Sequence, residues 1–169
     1  MEKFGIFARQ AGLIKVPGSV AELRQFATTH PELFLRFRCR VAADFLTEMR
    51  SFARGVKRHS LITANNSLNS ADTLYSQCRD YGYNIYEMSR AEDFVVVEDM
   101  SSQPRTLADG RVLEYGPTYQ QLQAISHGKP VVAVTIADGD YTTAPELVRL
   151  AMAEAAANGA SYLSWPAWP

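Results

Sequence analysis

Four short apolar runs, separated by helical segments, limit what this chain can fold into more than any other feature of its sequence. The runs cover residues 60–65, 93–98, 131–136 and 160–164, and their centres lie roughly 30 to 37 residues apart. The second and third runs are rich in valine, which is typical of strands that are buried on both faces. Strands that alternate with helices form a parallel sheet with right-handed crossovers. The sequence therefore predicts an α/β fold.

A long amphipathic segment precedes the first strand. It begins at Pro31, and its apolar residues recur at steps of three or four positions, which places them on one stripe of a helix. The stripe consists of Phe34, Phe37, Val41, Phe45, Met49, Phe52 and Val56. We expect this helix to pack its stripe against a large apolar surface.

The other predicted helices are shorter. One starts near residue 70, one covers residues 116–126, and one follows a capping box at residues 143–146 that has proline in its first turn. Residues 1–30 contain several helix-breaking residues and are expected to form an irregular lead-in, with one short helix over residues 19–28.

Two architectures fit a parallel sheet of this kind: an open doubly wound sheet, and half of a (β/α)8, or TIM, barrel. A doubly wound domain that binds a dinucleotide has a glycine-rich loop after an early strand. The first strand here ends in residues 65–69, Asn-Asn-Ser-Leu-Asn, without a glycine. We therefore expect a single domain over residues 1–169, in which residues 31–169 form a partial (half) TIM barrel with four parallel strands and flanking helices. An open-sheet α/β domain unrelated to sugars is the alternative.

The same features, in the same order, resemble the C-terminal half of the β-galactosidase-like glycoside hydrolases. In that family a helix of the pattern FxxFR…V…FL precedes strand five, which ends in Thr-x-Asn; residues 34–50 and 63–65 are similar to these two features. Residues 93–99 resemble strand six, residues 129–135 strand seven, and residues 159–165 strand eight, which often ends with a tryptophan under the sugar. The resemblance implies a barrel that hydrolyses or binds a glycan without a cofactor.

The sequence departs from this family in two respects. Strands one to four, which include the general acid/base of strand four, have no counterpart in the chain. Strand seven usually ends with the nucleophilic glutamate, whereas the matching residues here are Thr135, Ile136 and Ala137. A retaining mechanism needs two carboxyl groups about 5 Å apart. A glycan-binding or assembly module without the nucleophile is therefore the alternative to a glycosidase.

The candidate site follows from the barrel rule that active sites lie at the C-terminal ends of the strands. The polar and aromatic residues at these ends are Asn65, Asn66, Glu98, Asp99, Asp138, Asp140 and Trp165. Adjacent strands lie about 4.8 Å apart, so carboxylates at neighbouring strand ends can reach acid–base distance. We predict that Glu98, Asp99 and Asp138 are catalytic. The other four would bind substrate, the amides by hydrogen bonds and the tryptophan by stacking.

Each of these residues also has a purely structural interpretation. The sequence Asp138-Gly139-Asp140 is a good turn, and aspartate commonly caps helices. Asn65 and Asn66 are ordinary turn residues, and Trp165 would fit a core. A strand that is buried on both sides shows no polar alternation, so the sequence does not determine which of Glu98 and Asp99 faces the pocket.

The composition and the sheet edges bear on partners. Seventeen basic and eighteen acidic residues give a formal charge of −1, so we expect no nucleic-acid partner, and no apolar run approaches the roughly 20 residues of a membrane span. The thiols of Cys39 and Cys78 and the three histidines lack metal-ligand spacing, and we predict no metal.

The N-terminus lacks a signal-peptide pattern, which predicts a cytoplasmic protein unless the chain is a fragment. A half-barrel leaves two unpaired strand edges, which predicts a homodimer or a missing N-terminal half-barrel.

Overall fold

A computed structural model describes residues 1–67, 71–98, 109–110, 114–136 and 145–165. These residues contain seven helices and four strands. In chain order they are α1 (Glu2–Gln10), α2 (Val20–Thr29), α3 (Pro31–Val56), β1 (Asn65–Ser67), α4 (Ala71–Tyr81), α5 (Ile85–Met88), β2 (Val95–Glu98), α6 (Gly116–Ile125), β3 (Val131–Ile136), α7 (Pro145–Ala157) and β4 (Ser161–Trp165).

The four strands form one parallel sheet in the order β1-β2-β3-β4. Ser67 of β1 lies opposite Glu98 of β2, and Glu98 lies opposite Val134 of β3. Each strand is joined to its neighbour in the sheet through at least one helix. The predicted α/β class and the parallel order of the four runs are therefore confirmed.

The strand boundaries differ from the predicted ones except for β3. The first strand is Asn65–Ser67 and not residues 60–65. Ahead of it, the N–H groups of Ile62 and Ala64 donate to the carboxylates of Asp93 and Glu92, at 2.9 and 3.0 Å. In a longer β1 these two N–H groups would instead donate to backbone carbonyls of the neighbouring strand. The fourth strand, Ser161–Trp165, ends one residue later than predicted.

The main core lies between the sheet and the helices that cover one of its faces. Val95 and Val97 of β2 and their partners in β3 point into it, and they pack with apolar side chains of α5, α6 and α7. Its buried members are Ile85, Val95, Val97, Tyr119, Leu122, Val131, Ala133 and Ala155. The alternate residues of β2, Val96 and Glu98, are only half-buried. The expectation that this strand is buried on both faces is therefore only partly met.

Residues 1–30, predicted to be largely irregular, contain two helices. The short helix expected over residues 19–28 is present as α2, with a complete capping box between Ser19 and Glu22. The helix α1 was not expected, and it buries Phe4 in a second core cluster with Leu23 and Ala27. The nine residues of α1 make only about two and a half turns, too few for the spacing of their apolar side chains to indicate a helix clearly.

Helix α3 has the predicted extent, but most of its apolar stripe does not pack as predicted. Phe34 and Phe37 join the cluster around Phe4. The rest of the stripe is exposed, with exposed fractions from 43% to 76%, and consists of Val41, Phe45, Met49, Phe52 and Val56. On the opposite side of the helix, Arg50 and Arg54 both donate to Asp93, which precedes β2, and Cys39 and Ala43 are buried. None of the helices in the described ranges combines the length and the apolar character needed to cross a membrane.

Candidate functional site

A polar pocket of about 490 Å³ lies where β1 and β2 end. The two strands and the helix between them provide its walls. The strands contribute Asn65, Asn66 and Glu98; α4 and the residues after it contribute Ser76, Gln77, Asp80, Tyr81 and Tyr83. The pocket is thus at the C-terminal edge of the sheet, where parallel α/β proteins place their sites.

The strand register determines how the three strand residues enter this pocket. Asn66 pairs with Val97, whose side chain belongs to the main core, and Asn66 is itself buried. Asn65 and Glu98 lie at alternate positions, on the face of the sheet that the core does not cover. The pocket therefore curves around the end of the edge strand β1, with an asparagine on each face.

A buried polar network supports the inner wall of the pocket. Glu92 is fully buried, and its Oε1 accepts hydrogen bonds from the Tyr83 hydroxyl at 3.1 Å and from the Ala64 N–H at 3.0 Å. The amide of Asn66 donates to the carbonyl of Val96 at 3.0 Å. Asn66 and Tyr83 line the pocket, whereas Glu92 holds Tyr83 from behind. Glu92 therefore acts as a positioning residue for the tyrosine.

Two polar atoms of this network have no partner within the described part of the chain. They are Oδ1 of Asn66 and Oε2 of Glu92, both inaccessible to solvent. A buried oxygen without a hydrogen bond costs about 1–3 kcal/mol of stability. Asn66 also lines the pocket, but this oxygen itself is inaccessible, so the side chain would have to turn before a ligand hydroxyl could reach the atom.

Burial raises the pKa of both ionisable members of this network, Tyr83 and Glu92. Burial, followed by the nearby charge of Glu92, raises the pKa of Tyr83, so its hydroxyl is a permanent hydrogen-bond donor. Burial likewise raises the pKa of Glu92, although the hydrogen bonds from Ala64 and Tyr83 act against it. At the rim, the hydrogen bonds from Arg79 lower the pKa of Asp80 against a weaker effect of desolvation, and this carboxylate stays ionised.

The structure brings together three of the seven residues predicted from the sequence, namely Asn65, Asn66 and Glu98. Trp165 is the last residue of β4, in register with Ile136. Asp99, Asp138 and Asp140 lie outside the described residues, so their predicted roles stay predictions. The purely structural interpretation of Asn65 and Asn66 as turn residues is wrong, because both belong to β1.

Six pocket or network residues were not predicted from the sequence: Ser76, Gln77, Asp80, Tyr81, Tyr83 and Glu92. Tyr83 lies in a tyrosine-rich segment whose structure the pattern did not determine, and Gln77 is one of several polar residues on α4. Glu92 stands beside Asp93 shortly before β2, where two solvated carboxylates are the ordinary expectation. Its burial arises from contacts between residues 64, 83 and 92, which local sequence does not encode.

The pocket has the chemistry of a site for an uncharged, hydroxyl-rich ligand. Its residues supply three amides, two hydroxyl-bearing side chains, two carboxylates and the exposed ring of Tyr81. None of the described residues that line it is a lysine, arginine or histidine, and the guanidinium of Arg79 at its rim is paired with Asp80, so the described part of the wall offers a phosphate group no unpaired positive charge. Within the described ranges, no three His, Cys, Asp or Glu side chains form a group that could hold a metal ion.

Searches with this chain found no matching family model, no matching curated protein and no matching solved structure.

Proposed function

We propose that this protein binds a neutral saccharide in the pocket at the C-terminal ends of β1 and β2. The observation that carries the proposal is the convergence of Asn65, Asn66 and Glu98 on one cavity. Amides and carboxylates at strand ends are the usual hydrogen-bonding partners of sugar hydroxyls, and the exposed Tyr81 offers a ring face for stacking. The resemblance to β-galactosidase-like glycoside hydrolases, which rests on the sequence, points to the same ligand class.

The same proposal includes the half-barrel architecture. A half of a (β/α)8 barrel has helices on the outer face of its sheet and a bare inner face. The face of the sheet opposite the main core carries Val134, which is buried, Val96 and Val132, which are half-buried, and Leu163, which is 48% exposed. This uneven covering supports a sheet whose second face is completed by further strands, which we propose to come from a second copy of the chain.

Binding without hydrolysis is the form of the proposal that the described residues favour. Of the three predicted catalytic acids, Glu98 alone belongs to the described residues, and the described residues that end β3 include no carboxylic acid. Hydrolysis is the second candidate and requires a partner for Glu98, for which Asp99 or Asp138 is proposed. Glu98 would then be the acid or base, and water the nucleophile.

The experiment is a calorimetric titration with a panel of neutral monosaccharides and oligosaccharides. At least one sugar should bind, and Asn65→Ala should weaken its binding roughly threefold to tenfold, the effect of one neutral hydrogen bond. Gln121→Ala removes an equally exposed amide from α6, away from the pocket, and should leave binding unchanged. A panel without any binding, or equal losses in the two variants, would reject the proposal.

Hydrolysis is tested separately with aryl glycosides. Release of the aryl alcohol by the native protein, abolished in Glu98→Gln, would establish the catalytic alternative. Sugar binding without any release of aryl alcohol would establish the binding form.

A further inference from the structure

Helices α3 and α4 bring the two cysteines of the chain into one small cavity. Cys39 of α3 and Cys78 of α4 both line a space of about 390 Å³. Cys39 is 5% exposed, Cys78 is half-buried, and both are free thiols. The two side chains lie close enough that Cys78, after burial itself, contributes to the raised pKa of Cys39. Two residues 39 positions apart in the sequence are therefore neighbours in the fold.

The backbone around the two thiols is fixed on both sides. The guanidinium of Arg38, next to Cys39, donates to the carbonyls of Arg79 and Asp80 at 2.6 and 2.7 Å, just after Cys78. A Cβ added to Gly82 would lie 3.1 Å from the carbonyl oxygen of Arg38, so the chain after α4 touches the backbone of α3. These contacts hold α3 and the end of α4 in fixed relative positions. A disulfide between the two helices needs such a fixed arrangement, because its geometry is strict.

The cavity also gives a small anionic reagent access to the thiols. Arg36 and Arg40 line it together with the aromatic ring of Tyr75. Arg40 is paired with Asp44 at 3.1 Å and with Glu87, which also lines the cavity, at 4.0 Å, whereas Arg36 is exposed and has no ion-pair partner within the described residues. The mouth of the cavity is therefore suited to a peptide disulfide that carries carboxylates, such as oxidised glutathione.

We propose that Cys39 and Cys78 form a reversible disulfide that fastens α4 to α3, with a low-molecular-weight disulfide as the oxidant. The thiolate of the more accessible Cys78 attacks one sulfur of glutathione disulfide, whose S–S bond breaks and releases one glutathione thiolate. The thiolate of Cys39 then attacks the Cys78 sulfur of the mixed disulfide and releases the second. The cysteine pair loses two electrons and two protons, and these convert the reagent into two glutathione thiols.

The cross-link would act on the wall of the pocket described above. Gln77 and Asp80, which line that pocket, flank Cys78 on α4. A bond between the helices holds this wall against α3, and it closes a loop of about 40 residues, which stabilises the folded state. Exchange at neutral pH is slow, because burial raises the pKa of Cys39 to about 11 and also raises that of Cys78. Incubations of hours are therefore needed.

The test equilibrates the native chain with a series of reduced-to-oxidised glutathione ratios, followed by alkylation and peptide mass spectrometry. The expected result is the joint loss of both thiols and a peptide that links Cys39 to Cys78. The melting temperature should rise by roughly 5 to 10 °C on oxidation, and hydrogen exchange in α4 should slow severalfold. Both thiols free at every ratio, or only mixed and intermolecular disulfides, would overturn the proposal.

Two single variants check the order of attack. In Cys39→Ala the reaction should stop after its first step, leaving glutathione attached to Cys78. In Cys78→Ser the buried Cys39 should remain reduced. A glutathione adduct on Cys39 in the second variant, at the level seen on Cys78 in the first, would contradict attack through Cys78. The linked peptide of the native chain remains decisive even if a variant does not fold.

Discussion

Glu92 and Asp93 are neighbours in the chain whose carboxyl groups have opposite effects on folding. Glu92 is fully buried, and burial raises its pKa. Asp93 is half-buried; its desolvation is outweighed by the hydrogen bonds from Ile62 and Arg50 and by the charges of Arg50 and Arg54, which lower its pKa. The ionised form of Glu92 therefore opposes folding, whereas the ionised form of Asp93 supports it.

The first prediction concerns Glu92→Gln. Because the pKa of Glu92 is raised in the folded protein, its contribution is fully present below the ordinary value of 4.5 and is lost as the pH rises through the raised value. The glutamine keeps an oxygen for Tyr83 and Ala64 but cannot ionise. The variant should thus become more stable relative to the native protein as the pH rises from about 4 to about 8. Urea unfolding at several pH values measures this; a constant difference would contradict it.

The second prediction concerns Asp93→Asn. The lowered pKa of Asp93 means that its contribution is present above the ordinary value of 3.8 and disappears as the pH falls through the lowered value. The substitution should cost about 2 kcal/mol of unfolding free energy near neutral pH, and less in acid. Asp44→Asn, whose arginine pair is more than half exposed, should cost under about 0.5 kcal/mol. Equal losses in the two variants would disprove a special role of Asp93.

The contact between α3 and the end of α4 gives a prediction for two glycines. Gly82 and Gly128 both have φ of +70°, but an added Cβ would lie 3.1 Å from the Arg38 carbonyl at Gly82 and would touch nothing at Gly128. Alanine at either position costs about 1–2 kcal/mol from the left-handed backbone. Gly82→Ala should cost roughly 1 kcal/mol more, because the two helices must move apart. Thermal unfolding of both variants tests this; losses of equal size would show that the helices yield freely.

The elements that the sequence predicted correctly are those whose signals are local. The valine-rich run of β3 and the Pro31 start of α3 depend on neighbouring residues and were found as predicted. The extent of β1 and the orientation of α3 depend on Glu92 and Asp93, which take backbone or arginine partners 28 to 43 positions away. An apolar stripe indicates which side of a helix should be buried, but in α3 the opposite side, with Arg50 and Arg54 on Asp93, packs against the rest of the described chain.

At the scale of the whole molecule, the predicted site was found in part for the same reason. The rule that sites lie at the C-terminal ends of parallel strands placed Asn65, Asn66 and Glu98 together correctly. It did not show that Asn66, and not Asn65, lies on the core face of the sheet, because that follows from the register between β1 and β2. The contribution of α4 to the pocket depends on how the helix packs, which the strand pattern does not encode.

The last prediction concerns the completion of the sheet. Within the described residues, β1 and β4 each have one neighbour, so each has an edge with unpaired N–H and C=O groups, and Leu163 of β4 is 48% exposed on the face opposite the main core. If a second copy covers this face, light scattering should give twice the chain mass, and Leu163→Lys should reduce the measured mass to that of one chain.

Phe52→Lys is the control. It places the same charge on the exposed stripe of α3, where the residue is 71% exposed, and should leave the dimer intact. A monomeric native chain, or dissociation by Phe52→Lys and not by Leu163→Lys, would show that the open face of the sheet is not where copies meet. Because the proposed saccharide pocket adjoins this face through Asn65 and Glu98, such a result would also mean that one chain alone encloses the pocket.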